Sequence, residues 1–319
     1  MLSQLLLFFM FISLINAKTS VIDLTPDNIY EETESSKLYT FFKFIFNHPW
    51  EPFGIGFIVF YIGYFIWGMR RNKKISKAWL KEYRSLFESQ FTLTGISSKY
   101  NGFIHISHDE YRYFCSGRRN CRGLLATCKT KKRQDFFSFL IELIKPVEDL
   151  LTIDIPLEPK DLSPYVFALC RKTDVKKIHT TFKDLKDYGE QISSQYIPDL
   201  SRYCPQWAVI SDTNEIPTQI VTRQLVDLIK NDHDCLRLIH ITDQRAENVD
   251  GSVRLSTATL RLQFKIPSPE NISELKSWMN YIFTLIDLLP TLHLSSQVYA
   301  MNRRARVQNE QRNFVKDHQ

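Results

Sequence analysis

The sequence predicts an α+β protein held in a membrane by a single helix. The expected cytosolic domain is a mixed or antiparallel sheet packed by helices, with juxtamembrane and C-terminal amphipathic helices. Three observations predict this. Two apolar runs fall within the first 70 of the 319 residues. A basic cluster, Arg70-Arg71-Asn72-Lys73-Lys74, closes the second run. Beyond it, β-rich runs and helical periodicities follow one another in the order ββα-ββα-βα-ββα, which excludes a doubly wound parallel fold.

The first apolar run, Leu5 to Ile15, ends in Ile15-Asn16-Ala17, with a small residue where a signal peptidase cuts. Its eleven residues reach only about 16 Å as a helix, half a bilayer core. Residues 1–17 are therefore a signal peptide, although the first four carry no Lys or Arg. The second run, Phe53 to Met69, has no charge in 17 residues. It reaches about 25 Å, a short span suited to the thinner endoplasmic reticulum bilayer. Phe53, Tyr61 and Trp67, with the stop-transfer charges Arg70 and Arg71, are its expected membrane anchors.

Orientation follows from the flanks. Seven Lys/Arg lie between Arg70 and Arg84, against Lys37 and Lys43 alone in the 20 residues before Phe53. Positive-inside topology places the C-terminal side in the cytosol, in agreement with a cleaved signal. Residues 18–52, expected in the lumen, hold six acids (Asp23, Asp27, Glu31, Glu32, Glu34, Glu51) and three lysines, net −3. Within them, Lys37 to Phe46 is aromatic and reads as an interfacial segment. With +6 on the whole chain, residues 70–319 carry +9. A basic domain beside a membrane points to anionic lipid or RNA. All six cysteines lie on the cytosolic side, the distribution of reduced thiols.

The elements then follow in order. Ile75, Trp79, Tyr83 and Leu86 define an amphipathic juxtamembrane helix within a 70–110 segment that ends in a polar loop from Gly95 to Gly102. Within a domain at 111–294, Tyr111 to Ser116 and Gly123 to Lys129 are strands joined by a Gly-Arg-Arg-Asn turn. Gln134 to Ile144 is a helix stopped before Pro146. Strands Leu150 to Leu157 and Tyr165 to Arg171 precede a helix, Thr173 to Gly189. Strand Trp207 to Ser211, helix Gln219 to Lys230, strands Leu236 to Thr242 and Ala258 to Ile266, and a helix from Ser273 to Leu289 complete the domain. Asn271 and Glu274 form a capping-box pattern before that last helix, and Asn271 is also a sequon that a cytosolic location makes inert. Residues 295–319 read as a basic tail.

No phosphate-binding glycine loop, nucleophile elbow, dinucleotide fingerprint or Cys-x-x-Cys occurs, so no cofactor is expected and the common routes to catalysis are closed. His105-x-x-His108 near Cys115, Cys121 and Cys128 lacks the short paired spacings of a metal site. Cys115 beside Arg118 and Arg119 is a candidate low-pKa thiol but has no partner base in the pattern. The candidate RNA contacts are Lys129, Lys131, Lys132 and Arg133, then Arg303, Arg304 and Arg306. Charge runs more often form solvated faces.

An ordered set of motifs carries a family resemblance from Trp79 to the C-terminus. It comprises Ala78-Trp79, Phe87-Glu-Ser-Gln-Phe-Thr-Leu-Thr-Gly95, Cys115-Ser-Gly-Arg118, Lys132-Arg-Gln-Asp135, Pro146-Val147, Tyr165-Val-Phe-Ala168 and Arg304-Ala-Arg-Val307. Together they resemble the coiled-coil domain-containing protein 47 (calumin) family. The resemblance implies a single-spanning endoplasmic reticulum protein and a subunit of the PAT complex, an intramembrane chaperone that works with a small membrane partner, Asterix. It implies association with the ribosome and the Sec translocon during insertion of nascent multi-pass membrane proteins, and a scaffold instead of an enzyme. That family's lumenal region is long, acidic and associated with calcium buffering, which six acids in 35 residues match poorly. Its long charged helical tail is matched here only from Arg303 to Asn309. A calcium-homeostasis protein acting through the lumenal acids is the alternative reading, and a membrane-tethered enzyme using Cys115 or the histidines is the third.

Overall fold

The computed structural model describes residues 50–95, 102–158, 162–244 and 258–317. The expected signal peptide, almost all of the acidic 18–52 segment and the aromatic stretch Lys37 to Phe46 lie outside the described residues. The chain forms two compact units, residues 1–68 with 134–137, and residues 69–133 with 138–319.

In the first unit the described chain is the apolar beginning of helix α1 (Trp50–Gln90) and the beginning of a short helix α2 (Phe136–Ile144). Among the described residues α1 is the one helix long and apolar enough to cross a membrane. Phe53, Ile55, Val59, Phe60, Ile62 and Trp67 all point outward from it. Phe136 sets its ring edge-on against Phe60 and Tyr64, at 5.8 and 5.6 Å between centroids.

The expected span and juxtamembrane helix are thus one continuous element. From Met69 to Phe91 the sequence has neither Gly nor Pro, so nothing interrupts the hydrogen-bond ladder. In the second unit Ile75, Trp79, Tyr83 and Phe87 recur every four residues and are all buried. Trp79 stacks on Tyr83 and Phe87, and Phe87 meets Tyr113 and Phe283. Burial of each such ring contributes about 1.5–3 kcal/mol, which makes this stripe part of the domain core.

That core lies against one face of a ten-stranded sheet, antiparallel at every pairing. Its strands are β1 (Leu93–Thr94), β2 (Ile104–His105), β3 (Glu110–Ser116), β4 (Leu124–Lys129), β5 (Leu150–Leu157), β6 (Val166–Arg171), β7 (Glu190–Gln191), β8 (Trp207–Ser211), β9 (Leu236–Thr242) and β10 (Ala258–Lys265). The order is β1-β3-β4-β5-β10-β9-β6-β8-β7, with β2 also paired to β3. Alternation does the sorting: Tyr111, Tyr113 and Cys115 of β3, or Leu151, Ile153 and Ile155 of β5, face the core. Helix α8 (Lys276–Leu288) closes it with Trp278, Met279, Ile282, Phe283, Leu285 and Ile286. The turn between β3 and β4 needs Gly117, whose φ is +87°, where a Cβ would meet that of Thr92 at 2.8 Å.

Several expected helices differ in detail. The single helix expected over 173–189 is two, α3 (Val175–Thr181) and α4 (Lys183–Tyr188), because Phe182 is extended. Its ring packs 4.6 Å from His240 and beneath the Arg261 guanidinium, contacts a continuous helix would not allow. After α5 (Pro198–Tyr203), the helix expected over 219–230 is also two, α6 (Glu215–Ile220) and α7 (Arg223–Lys230). The break falls where the Thr222 hydroxyl caps α7 by accepting from the Leu225 amide. Asn271 does not cap with its side chain: its carbonyl accepts from the Glu274 amide and a 3-10 turn, Ile272–Leu275, leads into α8. The basic tail is a 22-residue helix, α9 (Ser296–Asp317).

Candidate interaction surface

The second face of the sheet is covered only in part. Ile178 of α3 and Leu185 of α4 pack on Val166, Ala168, Cys170, Ile210 and Leu238, a small second core over β6, β8 and β9. The remaining strands present polar side chains on this side: Arg112, Thr127, Thr152, Asp154, Arg261 and Gln263 line an open cleft of about 790 Å³. A bulge helps build it. The β9–β10 register shifts between Gln263 and Phe264. Leu236 and Ile239 both enter the core, and Arg237 and Leu238 between them both turn to the cleft.

Charges in the cleft answer one another. Arg261 and Asp154, cross-strand neighbours, pair at 2.6 and 3.3 Å with little exposure. Arg237 holds Glu148 at 2.7 and 2.9 Å and also Asp234, which Arg171 grips from the other side. Hydrogen bonding from Arg237 keeps the Glu148 carboxyl below its ordinary range. Burial alone would raise Asp234, but Arg237 and Arg171 bring it down. Both are therefore anions at neutral pH and not proton donors. Lys129, Lys145 and Lys177 remain on the rim as lysines without a salt-bridge partner among the described residues. Such a face suits recognition of a polar surface better than bond-making chemistry.

The first basic segment divides between rim and framework. Lys129 and Lys132 are exposed, and Lys131 lies 4.0 Å from Glu142. Arg133, one of the candidate RNA contacts, is engaged within the domain. It clasps Asp149 at 2.8 and 2.6 Å and donates to the Asn72 amide oxygen at 3.0 Å. Asn72, wholly buried in spite of its place in the stop-transfer cluster, donates to the Lys131 carbonyl at 2.9 Å. Its neighbours Arg70 and Arg71 are exposed. Of the expected anchors, Phe53 and Trp67 are exposed on α1 and Tyr61 is half-buried.

The second segment divides in the same way. Arg303 and Arg304 are exposed on α9. Arg306, also a candidate RNA contact, has a side chain only 8% exposed. It donates to Asp212 at 2.6 Å and to Asp243 twice at 3.1 Å, with its guanidinium 4.4 Å from the Tyr188 ring centre. Burial pushes the Asp212 carboxyl up to about 6 while Arg306 pulls the other way. Asn302 donates to Asp212 and to the Pro164 carbonyl, and Asn309 to Asp187 and the Tyr188 hydroxyl. Residues 302, 306 and 309 share one helical face. That spacing is the signal by which the sequence would have shown α9 to be docked.

Among the described residues the thiols and histidines assemble no reactive site. All six cysteines are buried. Burial pushes Cys115 up to about 12 and Cys121 to about 11, so the depressed pKa weighed for Cys115 is overturned. Arg118, its supposed activator, binds Gln90 and Asp287 and stacks on Phe283. His105 and His108 meet ring to ring at 5.6 Å. Among the described residues no three His, Cys, Asp or Glu side chains gather as metal ligands.

Known proteins resemble this chain over most of its length. Residues 47–319 match the family described as PAT complex subunit CCDC47. The Xenopus laevis protein of that name is 27% identical over 277 residues, covering 80% of this chain and 55% of that protein. The Mus musculus protein is 25% identical over 300 residues, covering 85% and 60%. This chain thus spans little more than half the length of these relatives. A crystal structure of the mycobacterial trehalose monomycolate transport factor A, TtfA, is similar at a TM-score of only 0.35 and 11% identity, over 71% of this chain and 97% of that one.

Proposed function

Because this chain belongs to the PAT complex subunit CCDC47 family, we propose that it acts as a non-catalytic subunit of a PAT-type complex in the endoplasmic reticulum membrane. The family match over 47–319 is the observation that carries this reading. In it, α1 crosses the membrane once with the N-terminus lumenal, and the sheet domain faces the cytosol. The domain is a scaffold that meets a small membrane partner of the Asterix kind, the Sec translocon and the ribosome while multi-pass proteins are inserted. Lys129, Lys131, Lys132, Arg303 and Arg304 are the proposed contacts with ribosomal RNA or anionic lipid, and Arg133 and Arg306 hold the framework beneath them. The ion-paired cleft, with no proton donor among its shifted carboxylates, supports binding over catalysis.

Purification of the full chain from membranes in mild detergent tests this. Ribosomes, translocon subunits and a small membrane protein should co-purify, and should still do so when the six acids of residues 18–52 are neutralised. Loss of all three with intact expression would refute the scaffold reading, and loss only on neutralisation would favour the calcium role. Topology has its own measurement. Asn271 should carry no glycan, whereas an Asn-x-Thr engineered between Asp23 and Glu34 should be modified by microsomes. A glycan on Asn271 would reverse the orientation.

A further inference from the structure

Helix α2 (Phe136–Ile144, FFSFLIELI) buries none of its side chains. Ile141, Leu143 and Ile144 are 64%, 70% and 89% exposed, and Phe137, Phe139 and Leu140 also face outward. Water is a poor solvent for so continuous an apolar surface. Its surroundings identify a better one. Phe136, the first residue of α2, packs edge-on against Phe60 and Tyr64 in the apolar run of α1. Counted along α1 at 1.5 Å per residue, those two rings lie about 15 and 9 Å inside the basic cap that begins at Arg70. Phe136 therefore sits at acyl-chain depth, which rests on the reading of α1 as a span.

We infer that α2 is a second membrane-embedded element, a short helix that enters the lipid of the cytosolic leaflet beside α1 and returns to the same side. Nine residues give about 13.5 Å, far short of a crossing, so the chain must come back out where it went in. Cations stand at both ends: Lys131 and Lys132 before the helix, Lys145 after it, followed at once by Pro146. This is the placement that lets charged heads reach lipid phosphates while the segment between them is in hydrocarbon. The polar exceptions, Ser138 and Glu142, stand four residues apart on one face, and Glu142 lies 4.0 Å from Lys131. The middle of the helix bonds its own backbone, as lipid requires; at its ends the Phe137 amide donates to the Asp135 carboxylate at 3.2 Å and the Lys145 amide to the Ile141 carbonyl at 2.9 Å.

The depth of single labels in the full chain tests the inference. A cysteine is introduced singly by Ile141→Cys or Ile144→Cys, with Ile62→Cys on the span and Lys172→Cys on the domain surface as references. The native thiols are all buried, so an environment-sensitive maleimide dye reports the added site alone, and their silence shows that the domain is folded. Where Ile144→Cys does not keep them silent, Leu143→Cys takes its place. Each chain is reconstituted in phosphatidylcholine vesicles with a minority of phosphatidylserine and brominated acyl chains. Labels on α2 should be quenched to the same extent as at Ile62, and Lys172 should be unaffected. Quenching at Ile62 with α2 behaving as Lys172 does would overturn the inference and leave the span standing. A protein cross-linked at Ile144 in microsomes would then name a partner helix as the occupant. Absence of quenching at Ile62 as well would bring down both the span and the inference built on it.

Discussion

Replacing Arg306 by methionine removes the one cation that, among the described residues, lies between the nearly buried carboxylates of Asp212 and Asp243. In the intact domain that guanidinium makes contacts at 2.6, 3.1 and 3.1 Å with Asp212 and Asp243. Deleting one member of a buried pair costs about 3–5 kcal/mol, because the remaining charge keeps its desolvation penalty. A domain of ordinary stability holds about 5–15 kcal/mol in all, so the loss is large but measurable. A proton can replace part of the missing cation. Asp212 is already raised to about 6 by burial, and loss of Arg306 raises it further. A group raised in the folded state stabilises fully below its unfolded pKa, and that contribution disappears as pH rises through the folded value. The variant's deficit should therefore be smallest near pH 6 and grow towards pH 8, while wild type changes less over that window. Urea unfolding of the full chain in mild detergent, followed by tryptophan fluorescence, reads both quantities. Adding Asp212→Asn and Asp243→Asn should restore most of the loss. A deficit below about 1 kcal/mol, the scale of an exposed pair, or one indifferent to pH, would refute the buried-clamp argument.

Thiol reactivity offers a simpler check: the folded chain should leave a maleimide reagent unconsumed, and six thiols should appear on denaturation, since every cysteine is buried. Early labelling of Cys115 would contradict its high pKa. Burial would raise the Asp184 carboxyl, but the charge and hydrogen bond of His240, with help from Thr242 and the Leu185 amide, hold it below its ordinary 3.8. Its contribution is present above that value and lost as pH falls below it, so Asp184→Asn should flatten the acid limb of stability, and an unchanged limb would remove Asp184 from the account. Ribosome co-sedimentation should weaken roughly a hundredfold between about 50 and 200 mM salt if about four cations meet phosphates. Charge reversal at Lys129, Lys131 and Lys132, or at Arg303 and Arg304, should flatten that slope at little cost in stability, and binding indifferent to both reversals would exclude these cations.

Strands were the most legible part of the fold: β3 and β4 alternate because one of their faces is buried, and Leu150–Leu157, Trp207–Ser211 and Leu236–Thr242 read as short apolar, β-branched runs between turn residues. Helix breaks were less so. Phe182 is extended on account of His240, a residue on a distant strand, and no local propensity announces that contact. The basic segments misled in one consistent way. Arg133 and Arg306 look like their neighbours in a charge run, but their carboxylate partners lie 16, 63 and 94 residues away in sequence. Which cation in a run turns inward depends on where the fold brings an acid. The apolar character of α2 was plain in Gln134 to Ile144, whereas the exposure of Ile141, Leu143 and Ile144 emerges only from the packing.

The aromatic stripe of α1 also sets a timetable. Tyr83 donates its hydroxyl to the carbonyl of Ile272, 189 residues later, and Phe87 closes on Phe283. At about 5–20 residues per second, the ribosome delivers those partners roughly 10–40 s after the stripe itself has been made. Throughout that interval Trp79, Tyr83 and Phe87 are on a finished helix with their permanent neighbours still untranslated. An isolated helix of this kind persists in water only weakly. Completion of this domain is therefore paced by translation of its last third, and the newborn chain passes through a long stage in which this aromatic stripe needs temporary cover.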